Sequence, residues 1–148
     1  MSANDKQVAG DHYKNTKVQH WDLVHDFWLD YYLGCSTKYL SRWWLKGTPV
    51  ADVEKAKHFF EKWIELNKVH VTGYPNKADG LERLTWWLTC LDDSMQRKFV
   101  RREPRMLTTL LLYTIFTSNP EKELGLLFEL LRDEASDWWV HVGSSQFE

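Results

Sequence analysis

Positively charged side chains recur at a regular spacing in one short segment of the chain. Lys38, Arg42 and Lys46 follow one another at intervals of four residues, so on a helix they would form one row. Tyr39 and Trp43 are their neighbours in the sequence. An arginine fork with flanking lysines can hold phosphate oxygens, and an aromatic ring can stack on a base. The spacing therefore indicates either a phosphate pocket or an exposed helix face that forms weak surface ion pairs.

Two other groups of charges lie near predicted helices. Asp22, Asp26 and Asp30 have the same four-residue spacing just before the cationic row, which predicts an acidic face that could brace its basic neighbour. A second basic segment runs from Arg97 to Arg105. Its cations suit either the end of a solvated helix or a patch that binds phosphate or a partner.

The elements that position these charges are helices. Apolar residues recur at helical spacing near 21–33, 36–46, 49–68, 79–99, 105–117 and 120–141, and no run of alternating β-branched residues occurs. Gly34 is predicted to break the first two helices apart, and Pro49 suits the start of the third. We therefore expect an all-α fold, a compact helical bundle of about six helices with a flexible N-terminal arm over residues 1–19.

The division of the chain follows from the same pattern. Residues 1–68 are predicted to form a helical domain with the arm, and 69–148 a tryptophan-rich helical extension that packs on the first part or serves assembly. The length of 148 residues suits one compact domain or two subdomains hinged at 69–78. Nine tryptophans exceed what one small core needs, so we expect a homo-oligomer.

Composition excludes several classes of protein. A net charge of −2 makes nucleic acid an unlikely ligand, and two cysteines exclude a disulfide framework. No apolar run is long enough to span a membrane, so no membrane partner is expected. His20 and His25 are five residues apart, which does not suit a zinc site on one helix face, so no protein-held metal is predicted. No glycine-rich phosphate loop is present.

A series of short motifs carries a resemblance to a known family. In order they are Gly10-Asp11-His12-Tyr13, Trp21-Asp22-Leu23-Val24, Tyr32-Leu33-Gly34, Lys38-Tyr39-x-x-Arg42, Lys46-Gly47 and Asp52-Val53-Glu54-Lys55-Ala56-Lys57. This order resembles a small bacteriophage domain whose best-understood members are phage nucleotide kinases. The resemblance covers about residues 8–66, and residues 67–148 have no counterpart in it.

The resemblance assigns site residues position by position. It implies that the positions that match the family pattern contact the nucleotide, namely His12, Tyr13, Asp22, Gly34, Lys38, Tyr39, Arg42, Lys46, Asp52 and Lys55. The chain departs from the pattern at Cys35, where the family has Asn after the glycine. This departure bears on substrate choice or on activity.

The activity that the resemblance implies is phosphoryl transfer to deoxynucleoside monophosphates without a phosphate loop. Arg42, Lys38 and Lys46 are the expected catalytic cations, which would grip the phosphates of donor and acceptor. His12 and Tyr13 would close over the nucleotide. ATP or another nucleoside triphosphate is the implied phosphate donor, with Mg²⁺ as a candidate cofactor, and the host cytoplasm is the implied location.

Three other functions stay open at this point. The cationic pocket could sequester a nucleotide without turnover, as a counter-defence protein would. The tryptophan-rich second half could instead bind a host protein through the basic segment from Arg97 to Arg105. A helical nucleotide pyrophosphohydrolase needs clustered acidic metal ligands, for which the chain offers few candidates.

Overall fold

The computed structural model describes residues 2–6, 18–66, 78–118 and 123–147. Its helices are α1 (His20–Asp26), α2 (Tyr31–Leu40), α3 (Pro49–Leu66), α4 (Ala78–Gln96), α5 (Glu103–Thr117) and α6 (Leu124–His141), with short 3-10 helices at Ala3–Asp5 and Gly143–Phe147. These residues contain no strand, so the predicted all-α bundle of about six helices is confirmed. Most of the predicted arm, residues 7–17, lies outside the described residues. No helix in the described ranges combines the length and apolar character that crossing a bilayer demands.

One cluster of buried side chains joins all six helices. Near its centre, the Trp43 ring lies 5.7 Å from Trp44, 5.1 Å from Phe99 and 5.7 Å from Trp138, measured between centroids. Trp43 Nε1 also donates a hydrogen bond to Thr108 Oγ1 at 3.2 Å. Because these partners come from both halves of the chain, the second half packs on the first through a shared core.

The predicted helix break at Gly34 is wrong, because the chain leaves helical geometry earlier. α1 ends in a Schellman motif, in which Leu29 N–H donates to Val24 O at 3.0 Å. Trp28 takes the left-handed position of this motif with φ 52°, a position that glycine usually fills. Asp30 then caps α2, and Gly34 lies inside that helix.

The second predicted helix is too long. α2 ends at Leu40, and residues 41–46 follow as turns and bends. Lys38 therefore lies on the last turn of α2, whereas Arg42 and Lys46 lie beyond it. The predicted helical row of three cations is wrong, since only its first member lies on a helix.

The core takes up more tryptophan than the sequence predicted. Trp43 and Trp44 are both fully buried because they lie in a turn, where adjacent side chains can enter the same core. Five of the nine tryptophans are buried: Trp43, Trp44, Trp63, Trp87 and Trp138. Three others are at least half exposed: Trp21, Trp28 and Trp86. Homo-oligomer formation stays a prediction.

Candidate functional site

The turn after α2 places Arg42 against α3, and the residue is 9% exposed. Its guanidinium carbon lies 4.9 Å from the centroid of the Tyr39 ring. Lys55 Nζ, from α3, lies 5.5 Å from the same centroid. Phe59 packs nearly parallel to Tyr39, at 15° and 6.0 Å between centroids. The Tyr39 ring therefore brings two cations together through cation–π contacts.

Asp52 is a buried carboxylate in the first turn of α3, with 2% exposure. Burial raises the pKa of Asp52, and the positive charges of Arg42, Lys46 and Lys55, together with a hydrogen bond to Thr48, oppose that rise. Because burial outweighs these attractions, the ionised carboxylate is held at a net free-energy cost.

His20 approaches the same cations from α1. Its Nε2 lies 2.6 Å from Thr37 Oγ1, and the Thr37 hydroxyl donates to Leu33 O at 2.8 Å. With the Thr37 hydrogen directed at Leu33 O, the Thr37 oxygen accepts from His20, and in this arrangement the imidazole proton is on Nε2. Burial lowers the pKa of His20 to about 3, and the charges of Lys38 and Arg42 also lower it. The sequence did not indicate this residue, because its partners come from a separate helix.

Lys38, Arg42, Lys46 and Lys55 together form what we call the cationic cluster, which includes the carboxylate of Asp52. Arg42 belongs to both parts of it, since it acts on Asp52 together with Lys46 and Lys55 and on His20 together with Lys38. Four positive charges and one negative charge leave an excess of three in a chain whose net charge is −2. The three lysines are exposed and can meet a ligand from solvent, whereas Arg42 is held in place by its surroundings. A local excess of this kind attracts phosphate groups.

The predicted acidic row does not form a surface face. Asp22 caps α1, where its Oδ2 accepts from Gln19 N–H at 2.9 Å and from Asn4 Nδ2 at 2.8 Å. Asp26 is buried, and Asp30 caps α2. The three carboxylates therefore have separate structural roles, and the contacts of Asp22 are with the N-terminal segment rather than with the cationic cluster.

Three other predicted site residues are less informative. Gly34 lies inside α2, and a Cβ atom added there would meet Val24 at 3.8 Å, an ordinary contact. That neighbour does not require a glycine. His12 and Tyr13 lie outside the described residues.

The second basic segment forms ion pairs within the protein. Arg105 makes a bidentate contact with Asp92, at 2.9 and 2.8 Å. Arg101 lies 3.4 Å from Glu134 and 3.1 Å from Asp137. These two arginines therefore tie the start of α5 to α4 and α6.

An open groove of about 740 Å³ lies between α4, α5 and α6. Its lining is mostly apolar and includes Leu88, Met106, Leu107, Leu110, Tyr113 and Leu130. No residue of the cationic cluster contributes to it.

Among the residues with a described position, no group of three or more His, Cys, Asp or Glu side chains could hold a metal ion.

Comparison of the chain with protein families, with curated proteins and with solved structures gave no match. The resemblance to phage nucleotide kinases therefore rests on the motifs quoted above and stays a prediction.

Proposed function

We propose that this protein binds a nucleoside phosphate at the cationic cluster and acts as a nucleoside monophosphate kinase. One observation carries the proposal: Arg42 is almost fully buried, and it shares the cationic cluster with three exposed lysines. A guanidinium fixed by its surroundings can hold two phosphate oxygens at a defined angle. Flexible lysines around it add charge without a strict geometry.

The surroundings of Arg42 suit a phosphate ligand in two respects. Tyr39 and Lys55 limit where the guanidinium can move, and preorganised donors stabilise developing charge better than mobile ones. His20 is neutral at physiological pH because its pKa is lowered to about 3. It therefore leaves the charge of the cluster unchanged throughout the neutral range.

The reaction that we propose needs positioning and charge neutralisation more than covalent help. The bond from the γ-phosphorus of the donor triphosphate to the β–γ bridging oxygen breaks, and that oxygen leaves with the diphosphate. A bond forms from the same phosphorus to an oxygen of the acceptor monophosphate, which becomes a diphosphate. The second pKa of a phosphate monoester is about 6, so the acceptor oxygen is already ionised at neutral pH and needs no general base.

ATP and Mg²⁺ are the proposed co-substrate and cofactor. Mg²⁺ is usually held by one or two carboxylates together with substrate phosphates and water. Asp22 and Asp52 have other partners, one at a helix start and one among cations. The ion would therefore depend mainly on oxygens of the nucleotide.

The test of this function is an incubation of the protein with each deoxynucleoside monophosphate and MgATP, followed by chromatography. We expect equal amounts of ADP and deoxynucleoside diphosphate. Arg42→Ala should lower the rate by on the order of 10²-fold, since a preorganised charge contact is lost. Arg97→Ala, which removes an exposed arginine outside the cluster, is the matched control and should retain the rate.

Each other outcome has a clear meaning. Tight binding of a nucleotide that is never converted would replace the kinase by a sequestering protein. If neither binding nor product is detected, the nucleotide site is refuted. If Arg42→Ala keeps its activity within about twofold of wild type, Arg42 lies outside the site.

We also propose that the protein acts as a homo-oligomer in the host cytoplasm. The exposed indoles of Trp21, Trp28 and Trp86 support the assembly, because aromatic side chains are enriched in protein interfaces. Light scattering at micromolar concentration should give a mass above that of one chain. A single species of 17.7 kDa would refute the assembly.

A further inference from the structure

Tyr31 presents an exposed aromatic ring near the cationic cluster. It is the first residue of α2 and is 68% exposed. Its ring meets Tyr32 at 5.5 Å and Phe59 at 6.0 Å between centroids, and both contacts are nearly perpendicular, at 81°. With this exposure, most of the Tyr31 side chain is open to solvent and can meet a flat ligand.

Tyr39 cannot offer an exposed ring in the same way. Phe59 lies nearly parallel to its ring, while Arg42 and Lys55 approach it within cation–π distance. Phe59 contacts both tyrosines, so it connects the cations to the exposed ring through two centroid distances of 6.0 Å each. Aromatic rings and cations therefore form one continuous row of contacts, with the exposed Tyr31 at one end and the buried Arg42 at the other.

We infer that the exposed ring of Tyr31 stacks on the base of the nucleotide whose phosphates the cationic cluster holds. This inference rests on the proposed function and identifies the part of the site that takes the base. A nucleotide has a flat, weakly polar base at one end and an anionic chain at the other. The row of contacts offers its partners in the same order.

The chemistry of this row of contacts also indicates what kind of base it accepts. Every base has a π-face, so stacking on a tyrosine tolerates all four. Purines have the larger ring system and should bind more tightly than pyrimidines. The Tyr31 hydroxyl interacts with the Cys35 thiol, and this interaction raises the pKa of Tyr31.

The test compares two ligands that share a phosphate chain but differ in the nucleoside, dATP and inorganic tripolyphosphate, by isothermal titration calorimetry. Tyr31→Ala should weaken dATP binding about tenfold or more and leave tripolyphosphate binding unchanged. Tyr31→Phe should bind dATP within about twofold of wild type, because the ring is retained. Tyr113→Ala, which removes a half-exposed tyrosine on α5, is the matched control and should bind both ligands normally.

Four results would overturn the inference. If wild type binds dATP and tripolyphosphate equally, the base makes no contribution. If Tyr31→Ala binds dATP normally, the base lies elsewhere, although nucleotide binding stands. If Tyr31→Ala weakens both ligands equally, the residue acts on the cationic cluster and not on the base. If a single-stranded oligodeoxyadenylate binds far more tightly than dATP through Tyr31, the ligand is a strand. If the wild-type protein binds neither dATP nor tripolyphosphate, the proposed function itself is refuted.

Discussion

The placement of a buried arginine near a buried carboxylate predicts a specific pattern of stability in Arg42→Ala, Asp52→Asn and the double variant. Arg42→Ala removes the cation–π contact with Tyr39, about 1 kcal/mol. It also removes an attraction to Asp52, which should be about 2 kcal/mol for two charges with little exposure. These two losses together come to about 3 kcal/mol, which in a chain of this length lowers Tm by about 6–12 °C.

Asp52→Asn should behave differently at neutral pH. The pKa of Asp52 is raised above 3.8 in the folded protein, mainly by burial. The folded state therefore binds the proton more tightly than the unfolded state, and stability falls as pH rises from 3.8 through the folded pKa. The ionised carboxylate opposes folding at pH 7, so its replacement by an amide should leave the free energy of unfolding unchanged or raise it.

The double variant isolates the attraction between the two residues. Once Asp52 is neutral, Arg42→Ala no longer loses this attraction, so its cost should fall by about 2 kcal/mol, which is the coupling energy. Urea unfolding at pH 7, followed by tryptophan fluorescence, measures all four proteins. A coupling below about 0.5 kcal/mol would show that the two charges do not interact. A folded double variant that fails to bind nucleotide would then report on the site and not on stability.

Three further predictions concern other positions. Gly143→Ala should lower the free energy of unfolding, measured in urea, by about 1–3 kcal/mol, because a Cβ atom would lie 2.7 Å from the buried Trp138 ring. The control is Gly125→Ala, whose Cβ atom would meet nothing within 4 Å and which should not destabilise the helix. Trp28→Val should lower the free energy of unfolding by about 1–2 kcal/mol more than Trp28→Asn, since asparagine tolerates the left-handed φ of 52° and a β-branched residue does not. Equal thermal stability of the two variants would contradict this. The pKa of His20 is about 3 in the folded protein against 6.5 in the unfolded chain, so protonation of the unfolded chain destabilises the protein as pH falls below 6.5. Between pH 6.5 and pH 5 the free energy of unfolding of wild type should therefore fall by about 2 kcal/mol more than that of His20→Gln. Parallel curves of stability against pH would refute this.

The parts of the fold that follow local rules could be predicted from the sequence. Apolar spacing predicts the third helix near 49–68 with Pro49 at its start, and Val53, Ala56 and Phe60 share one face of such a helix. The structure confirms the helix as Pro49–Leu66, and these three apolar side chains are fully buried. Proline at a helix start and apolar spacing act within one element, so no tertiary information is needed.

The misplaced helix boundary lies where an unusual residue occupies a local turn. Gly34 has the residue type of a helix end, but the chain instead uses Trp28 in the left-handed position, where glycine is the usual sequence signal. The site residue His20 was missed for a different reason. Its hydrogen-bond partner Thr37 lies on α2, and no spacing within one helix marks a contact between two.

The departure from helical geometry after α2 is what distinguishes the cationic cluster from an ordinary charged surface. On a continued helix, Arg42 would share an exposed face with Lys38, and water would screen both. The turn instead lets Trp43 and Trp44 enter the core together, and the adjacent Arg42 is drawn to 9% exposure. Charge interactions strengthen as water is excluded. The packing of the two tryptophans therefore strengthens the interactions of the neighbouring Arg42 guanidinium with other charges. Substitutions at Trp43 should therefore weaken anion binding as well as the fold.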